Sequence, residues 1–382
     1  MNRHTSSPRH VHYRRSPLTG TPSQPLPLRG GGQGGGGTCR AFSRVAWHAF
    51  LVGCLAVSSC IQKARNGTLV TFTGPTMGTE YTVKISNLPT GVGREGLQAD
   101  IERILKRVND RMSTYLKSSE LSRFNRQRTT DWVAVSAETV LVIDEALRVS
   151  RLTDGAFDIT VGPVVNLWGF GPAPREEAIP SDDAIQKALQ RVGYAHIDTR
   201  KSPPAIKKHR ADVEIDLSAI AKGYAVDQVA EHLGSVGISN YLVEIGGEIR
   251  GKGQKTQATP WKVGIEKPMP NGRAVQRVAS LEDQAMATSG DYRNFFERNG
   301  ERFSHTINPR TGRPITHTLA SVTVIDPSSM HADAMATALM VLGPEAGYEV
   351  AERENLAALF IIRDSDGFRE KSTPAMKQSL LR

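Results

Sequence analysis

The sequence predicts an α+β fold, and three observations carry that prediction. Alternating apolar patterns typical of strands and amphipathic patterns typical of helices both occur between residues 68 and 364. They are mixed along the chain without the strict strand–helix–strand order of a parallel α/β sheet. The 382 residues include 39% hydrophobic residues, which is enough for a sizeable core.

The first half of the body contains both kinds of pattern. Two strands are predicted at 68–85, where apolar residues alternate around a GPTMG turn. Amphipathic helices are predicted at 93–113 and 137–152, whereas the Gly- and Pro-rich stretch 155–171 is too irregular for one element. A helix is predicted within 216–237, after a polar turn and before a glycine.

The second half is predicted to be richer in strands. Its predicted elements, in order, are strand–Gly-Gly bend–strand at 241–253, a short strand at 261–268, a loop with two prolines at 304–315, a strand at 319–326, a helix at 331–343 and a strand at 356–364.

Three segments differ in composition. Residues 1–44 form a basic leader rich in Pro, Gly and Ser, which we expect to be disordered. Residues 45–60 are predicted to be a lipoprotein signal, and residues 61–382 form the body.

The net charge of +9 comes mainly from the leader: residues 1–59 hold seven arginines and no acid, which leaves 41 basic and 39 acidic residues in the remainder. A nearly neutral body lacks the excess of basic residues that is typical of a nucleic-acid-binding domain.

The lipoprotein prediction rests on the run after Arg44. A positive flank, a short apolar run at 45–57 and small residues before Cys60 are typical of a bacterial lipoprotein signal. Cys54, in LVGC, fits the same pattern locally, but a cut there would leave an apolar mature N-terminus. The alternatives are a plain secretory signal and an uncleaved anchor.

The cysteines lie only in this leader region. They are Cys39, Cys54 and Cys60. The sequence of the body therefore excludes a disulfide framework, a thiolate metal site and a cysteine nucleophile there.

The stretch HADAMATALMVLG, residues 331–343, places Asp333 and Thr337 four residues apart and therefore on one helix face. One reading is structural, with Asp333 as an N-terminal cap and Thr337 bonded back to a carbonyl. The other is functional, with two hard oxygen ligands for Mg²⁺, which is typically held by one or two protein oxygens, waters and phosphates.

Four other features carry possible chemistry, and none matches a nucleotide-loop, zinc-protease or nucleophile-elbow motif. Lys222 could hold a phosphate or could be an exposed lysine. His305 could be a general base or an ordinary loop histidine. Gly290 in ATSGDYR and the Gly-Gly of EIGGE could let a ligand approach the backbone, or could simply mark turns.

Eight motifs occur in order across residues 77–343: MGTEY, DRMSTYLKSSELSRFN, GAFDITVGPVVNLWGFG, DLSAIAKGYAVD, VEIGGEIRGKG, ATSGDYRNFF, SHTINPRTGRP and ADAMATALMVLG. Together they resemble the ApbE family of FAD:protein FMN transferases. Each motif is weak alone, whereas the ordered set is specific. The resemblance implies an ApbE-like fold with mixed or antiparallel sheets and packed helices, and an FAD site between subdomains.

The resemblance also implies roles for individual residues. Phe157 stands where the family usually has methionine, a departure that affects only packing. The residues matching FAD contacts are Met77, Tyr115, Ala156, Phe157, Asp158, Asp216, Lys222 and Ile307; those matching the Mg²⁺ site are Ala219 through its carbonyl, Asp333, Thr337 and the adjacent Ala336; and those tied to catalysis are His305 and Lys222.

The implied reaction is Mg²⁺-dependent transfer of FMN from FAD to a threonine hydroxyl of exported or membrane redox proteins, releasing AMP. Implied acceptors are subunits of Na⁺-translocating NADH:quinone oxidoreductase or of Rnf complexes, met by a lipid-anchored enzyme on the periplasmic side of a bacterial membrane, expected to be the inner one. The alternatives are an FAD pyrophosphatase giving FMN and AMP, a non-catalytic FAD-binding lipoprotein, and a solute-binding lipoprotein without metal dependence.

Overall fold

The computed structural model describes residues 68–172, 179–256, 259–298 and 300–380. These residues belong to one compact unit, Lys63–Arg382. The predicted leader at 1–44, the predicted signal at 45–60 and Cys60 itself lie outside the described residues. Within the described ranges, no helix has both the length and the apolar character needed to cross a bilayer.

Strands and helices alternate irregularly along the described chain. The strands are β1 (Leu69–Thr76), β2 (Thr79–Ser86), β3 (Val133–Ala134), β4 (Ile197–Lys201), β5 (Pro204–Lys208), β6 (Tyr241–Ile245), β7 (Glu248–Lys252), β8 (Gln254–Thr256), β9 (Thr259–Glu266), β10 (Val275–Leu281), β11 (Gln284–Gly290), β12 (Phe295–Arg298), β13 (Glu301–Ser304), β14 (Ile307–Asn308), β15 (Arg313–Pro314), β16 (Leu319–Asp326), β17 (Ala357–Asp364) and β18 (Gly367–Ser372). The helices are α1 (Arg94–Met112), α2 (Glu120–Arg126), α3 (Ala137–Leu152), α4 (Gly162–Leu167), α5 (Asp182–Leu189), α6 (Ala221–Ser235), α7 (Ser329–Leu342), α8 (Ala346–Arg353) and α9 (Met376–Ser379).

An eight-stranded sheet organises the fold, in the order β1-β2-β6-β7-β11-β16-β17-β18. Every neighbouring pair in it is antiparallel. β16 is almost entirely buried, because helices α6 and α7 cover one face of the sheet while β9, β10 and α9 contribute to a smaller apolar cluster on the other. The predicted α+β class with antiparallel sheets is confirmed.

The contact between α6 and α7 depends on a glycine. A Cβ atom on Gly223 would lie 2.3 Å from the Ser329 carbonyl oxygen and 2.8 Å from Met330 Cα, so only glycine permits this approach. Asp227 fixes the same contact, because its carboxylate accepts hydrogen bonds from the backbone N–H groups of Ser329 and Met330 at 3.0 Å. The small residues of both helices therefore bring two backbones together.

A separate apolar cluster, which we call the aromatic wall, forms around helices α4 and α5 and strands β12 and β13. Its rings are Trp168, Phe170, Phe296 and Phe303, with centroid separations of 5.0–5.6 Å, and its aliphatic members include Val164, Ile185, Ala188 and Ile307. The Trp168 indole N–H donates to the Gly312 carbonyl at 2.7 Å, which ties α4 to the loop between β14 and β15.

Several predicted boundaries change in the structure. The GPTMG turn is shorter than predicted, because β1 continues through Thr76 and only Met77 and Gly78 form the turn, with positive φ angles of 47° and 75°. The predicted loop at 304–315 includes the short strands β14 and β15. The stretch 287–290 is the end of strand β11 rather than a turn, and Gly290 is needed there because a Cβ would meet the Tyr292 ring at 2.6 Å.

Candidate functional site

A cavity of about 430 Å³ opens between the helix pair and the aromatic wall. Its base, which we call the polar floor, consists of Lys222 on α6, Glu248 on β7, Ser289 on β11, and Asp333 and Thr337 on α7. Among the residues singled out in the sequence, those that line the cavity are Tyr115, Ala156, Phe157, Asp158, Asp216, Ala219, Lys222, Gly246, Gly290, His305, Ile307, Asp333 and Thr337. The structure therefore brings together segments that are widely separated in the chain.

Asp333 and Thr337 both face the cavity, as their spacing predicts. The reading of Asp333 as the cap of its own helix is wrong, because Ser328 caps α7 by accepting from the His331 N–H. Asp333 Oδ2 instead accepts from the backbone N–H of Gly223, at 3.0 Å, in the first turn of α6. Thr337 Oγ1 lies 3.1 Å from Ser289 Oγ.

Lys222 points into the polar floor rather than into solvent, so its reading as an exposed lysine is wrong. Its Nζ atom lies 2.5 Å from Glu248 Oε1 and 3.9 Å from Asp333 Oδ1. Desolvation alone would lower the pKa of Lys222, but the two carboxylates outweigh it and raise that pKa. The lysine is therefore a permanent cation beside two acids.

The polar floor fits a magnesium ion whose coordination is completed by phosphate. Its side-chain donors are hard oxygens, Asp333 is 4% exposed, and Glu248 Oε2 has no hydrogen-bond partner among the described residues. Burial is the main cause of the raised pKa of Asp333, so a cation would stabilise its ionised form. No group of three His, Cys, Asp or Glu residues in the described chain could hold a metal. Magnesium does not need one, since one or two carboxylates, waters and substrate phosphates suffice.

His305 lies at the cavity edge, with its orientation set by one backbone carbonyl. Its Nδ1 atom lies 2.9 Å from the Asn294 oxygen, and its ring meets the Phe170 ring edge-on at 6.3 Å. A carbonyl can only accept, so Nδ1 carries the proton and Nε2 of the neutral ring is left as a base. Burial lowers the pKa of His305, which favours that neutral ring.

Asp158 uses both carboxylate oxygens, and Asp216 uses one, in hydrogen bonds within the protein. Asp158 Oδ1 accepts from the Thr160 N–H and hydroxyl at 2.7 and 2.6 Å, and its Oδ2 accepts from the Tyr194 N–H at 2.8 Å. Asp216 Oδ1 accepts from the Ser218 N–H and hydroxyl at 2.8 and 2.5 Å. Asp158 therefore shapes the segment that presents Ala156 and Phe157 to the cavity, rather than offering a free carboxylate.

Two predicted residues lie away from the cavity lining. Met77, in the turn between β1 and β2, packs against the main core, and Ala336 is fully buried on α7. Their assignments therefore rest on the family resemblance alone.

Sequence reasoning missed Glu248, Ser289, Phe170 and Asn294 as members of the site. For Glu248 the sequence does contain a signal, because an acidic residue directly follows the Gly-Gly bend of EIGGE. The sequence does not show that Glu248 pairs with Lys222, because Lys222 lies on another element.

Arg310 joins two cavity-lining loops. Its Nε donates to the Asp154 carbonyl at 3.1 Å, and its terminal nitrogen contacts the Asp154 carboxylate at 3.0 Å. The loop bearing Ile307 and the loop bearing Phe157 are thereby held together.

Comparisons with known proteins find relatives that match most of the chain. The sequence model of the ApbE family matches residues 77–360. The chain is 46% identical to the FAD:protein FMN transferase of Vibrio cholerae serotype O1, over 87% of this chain and 98% of that one. It is 47% identical to the protein of the same name from Haemophilus influenzae, over 85% and 94% of the two chains.

Solved structures are also similar. The flavin transferase ApbE from Vibrio cholerae superposes with a TM-score of 0.77 at 46% identity, covering 82% of this chain and all of that one. The apo form of the Pseudomonas stutzeri flavinyl transferase ApbE gives a TM-score of 0.76 at 40% identity, covering 82% and 97%.

Proposed function

The chain belongs to the ApbE family of flavin transferases, and from that premise we propose a magnesium-dependent transfer of FMN from FAD to a threonine hydroxyl of an acceptor protein. One observation supports this most directly: Asp333 and Thr337 share the polar floor with Lys222, at the base of a cavity large enough to admit a phosphate-bearing ligand. A buried cluster of hard oxygens beside a fixed cation suits a pyrophosphate.

The metal-binding groups in this proposal are the Asp333 carboxylate, the Thr337 hydroxyl and the Ala219 carbonyl. Bound magnesium would supply positive charge against the pyrophosphate of FAD, which is the main requirement of phosphoryl transfer. Ala219 lines the cavity just before α6, and Ala336 lies next to Thr337 within α7.

The other residues of the chain bind, orient and move a proton. Lys222 would contact the phosphate oxygens, and His305 Nε2 would accept the proton of the threonine hydroxyl. The threonine oxygen forms a bond to the FMN-side phosphorus, the bond from that phosphorus to the AMP oxygen breaks, and AMP leaves. Phe170 and Ile307 of the aromatic wall line the cavity and would exclude water around a bound ligand.

Product analysis tests this reaction. The protein is incubated with FAD, Mg²⁺ and an exported flavoprotein fragment that carries the acceptor threonine, and mass spectrometry detects a covalent FMN adduct. We expect a Mg²⁺-dependent adduct that Asp333→Ala reduces by about two decades or more in rate. Full Mg²⁺-dependent transfer by Asp333→Ala would overturn the proposal, whereas free FMN and AMP without adduct would favour the pyrophosphatase.

We further propose a lipid anchor at Cys60 on the periplasmic face of the inner membrane. The apolar run and small residues before Cys60 support it, and acceptors there would include flavin-carrying subunits of Na⁺-translocating NADH:quinone oxidoreductase or Rnf complexes. Labelling cells with palmitate tests the anchor: the label should be lost in Cys60→Ser and kept in the matched variant Cys54→Ser. The reverse pattern would place the lipid on Cys54.

A further inference from the structure

Lys222 has two carboxylates within reach, and it is not shared equally between them. Its Nζ atom is 2.5 Å from Glu248 Oε1 but 3.9 Å from Asp333 Oδ1. Glu248 is only 4% exposed, and its second oxygen has no hydrogen-bond partner among the described residues. A buried carboxylate needs a cation nearby, so Lys222 is the counter-ion of Glu248 first and of Asp333 second.

We propose that Glu248 is a positioning residue that holds Lys222 away from Asp333 and so keeps the Asp333 carboxylate available to a divalent cation. The inference rests on the proposed magnesium site and adds a residue that no part of the family resemblance assigned.

The charge balance of the polar floor supports this role. When both carboxylates are ionised, Glu248 and Asp333 carry two negative charges against the one positive charge of Lys222, which leaves one negative charge for an incoming cation. Without Glu248, Asp333 would be the nearest carboxylate to the partly buried Lys222 ammonium, and the pair would be neutral. A divalent cation would then have to displace a lysine in a region where charges about 4 Å apart interact strongly.

The Gly-Gly bend explains how Glu248 reaches this position. Gly246 and Gly247 adopt positive φ angles of 61° and 108°, which let β6 reverse directly into β7. A Cβ on Gly246 would lie 2.9 Å from Thr79 Cγ2 and 3.5 Å from Lys222 Cδ, so the lysine stem crosses the bend in contact with it. The bend thus presents Glu248 to the end of that stem.

Metal binding tests the proposal without relying on turnover. Free Mn²⁺ is followed by electron paramagnetic resonance as it is titrated into FAD-free protein, so that phosphate contacts of Lys222 play no part, for wild type, Glu248→Gln, Lys222→Gln and the double variant. We expect Glu248→Gln to weaken Mn²⁺ binding by about tenfold or more. The double variant should recover it to near the wild-type value, because removing the lysine frees Asp333 again.

The variants separate this inference from the proposed function. Asp333→Ala removes a proposed metal ligand and gives the background level of Mn²⁺ binding. Unchanged Mn²⁺ binding in this variant would show that the proposed metal site itself is wrong. Unchanged binding in Glu248→Gln, or no recovery in the double variant, would overturn the role of Glu248 alone. If Glu248→Gln does not fold, Lys222→Gln still tests the proposal. Weaker Mn²⁺ binding in the Lys222→Gln variant would contradict the proposal. Glu120→Gln, which removes a carboxylate outside the cavity lining, is the matched control and should bind Mn²⁺ like wild type.

Discussion

The polar floor and the aromatic wall face each other across one cavity, but different physics holds each in place. The floor depends on two helix backbones in direct contact at Gly223 and on buried charges that balance one another. The wall depends on stacked rings and on one indole hydrogen bond to a loop. The floor therefore tolerates no added volume, whereas the wall tolerates exchanges of similar shape, as apolar clusters generally do.

The largest effect should come from Gly223→Ala. Its new Cβ would meet backbone atoms of Ser329 and Met330 that cannot move independently, so we expect destabilisation at the upper end of the about 1–3 kcal/mol that overpacking costs. Transfer activity should fall with it, because the Gly223 N–H also binds Asp333.

Urea unfolding measures this effect against Gly234→Ala on the same helix. A Cβ at Gly234 has no neighbour within 4 Å, so this control should be neutral or up to about 1 kcal/mol more stable. A Gly223→Ala variant as stable as Gly234→Ala would show that helix propensity outweighs the contact between the helices at this position.

A smaller effect is expected from Trp168→Phe in the wall. The change keeps an aromatic ring but leaves the buried Gly312 carbonyl without its donor, which should cost about 1–2 kcal/mol. FAD binding should weaken while Mn²⁺ binding stays unchanged, because the polar floor is built from other elements.

Fluorescence titration with FAD checks the wall variant against Trp132→Phe. Trp132 is 40% exposed and lies outside the cavity lining, so that variant should bind FAD like wild type. A loss of Mn²⁺ affinity in Trp168→Phe would mean that the wall and floor are one coupled unit.

The smallest and most gradual effect is the pH dependence of His305. Because burial lowers the pKa of His305, its ring stays neutral below the usual imidazole value of about 6.5. The transfer rate should therefore hold down to that pH and then fall as the ring gains a proton, since a protonated Nε2 cannot act as base.

A pH profile of kcat gives the midpoint, with His209→Gln as control because His209 pairs with Asp198 outside the cavity lining. A midpoint clearly above 6.5 would contradict the buried setting of the His305 ring, and a profile unchanged in His305→Asn would assign the base to another group.

The same contrast explains what could be predicted from the sequence. Asp333, Thr337 and Lys222 sit in short stretches of small residues, so their local context and the ordered motifs identified them. Trp168 lies more than a hundred residues before Phe296 and Phe303, and no local pattern shows that it packs against them. Strand β18, of sequence GFREKS, was missed because an exposed edge strand needs few apolar residues.

The order of strands in the large sheet has a consequence for how the chain is made. β2 pairs with β6, so Tyr81 finds its partner only when Ile245 is available, and helices α1–α6 lie between them. Closing such distant contacts is slow compared with local pairing. A nascent chain that ends before β6 carries the β1–β2 hairpin with an open hydrogen-bonding edge, and translation must pass residue 245 before that edge is covered.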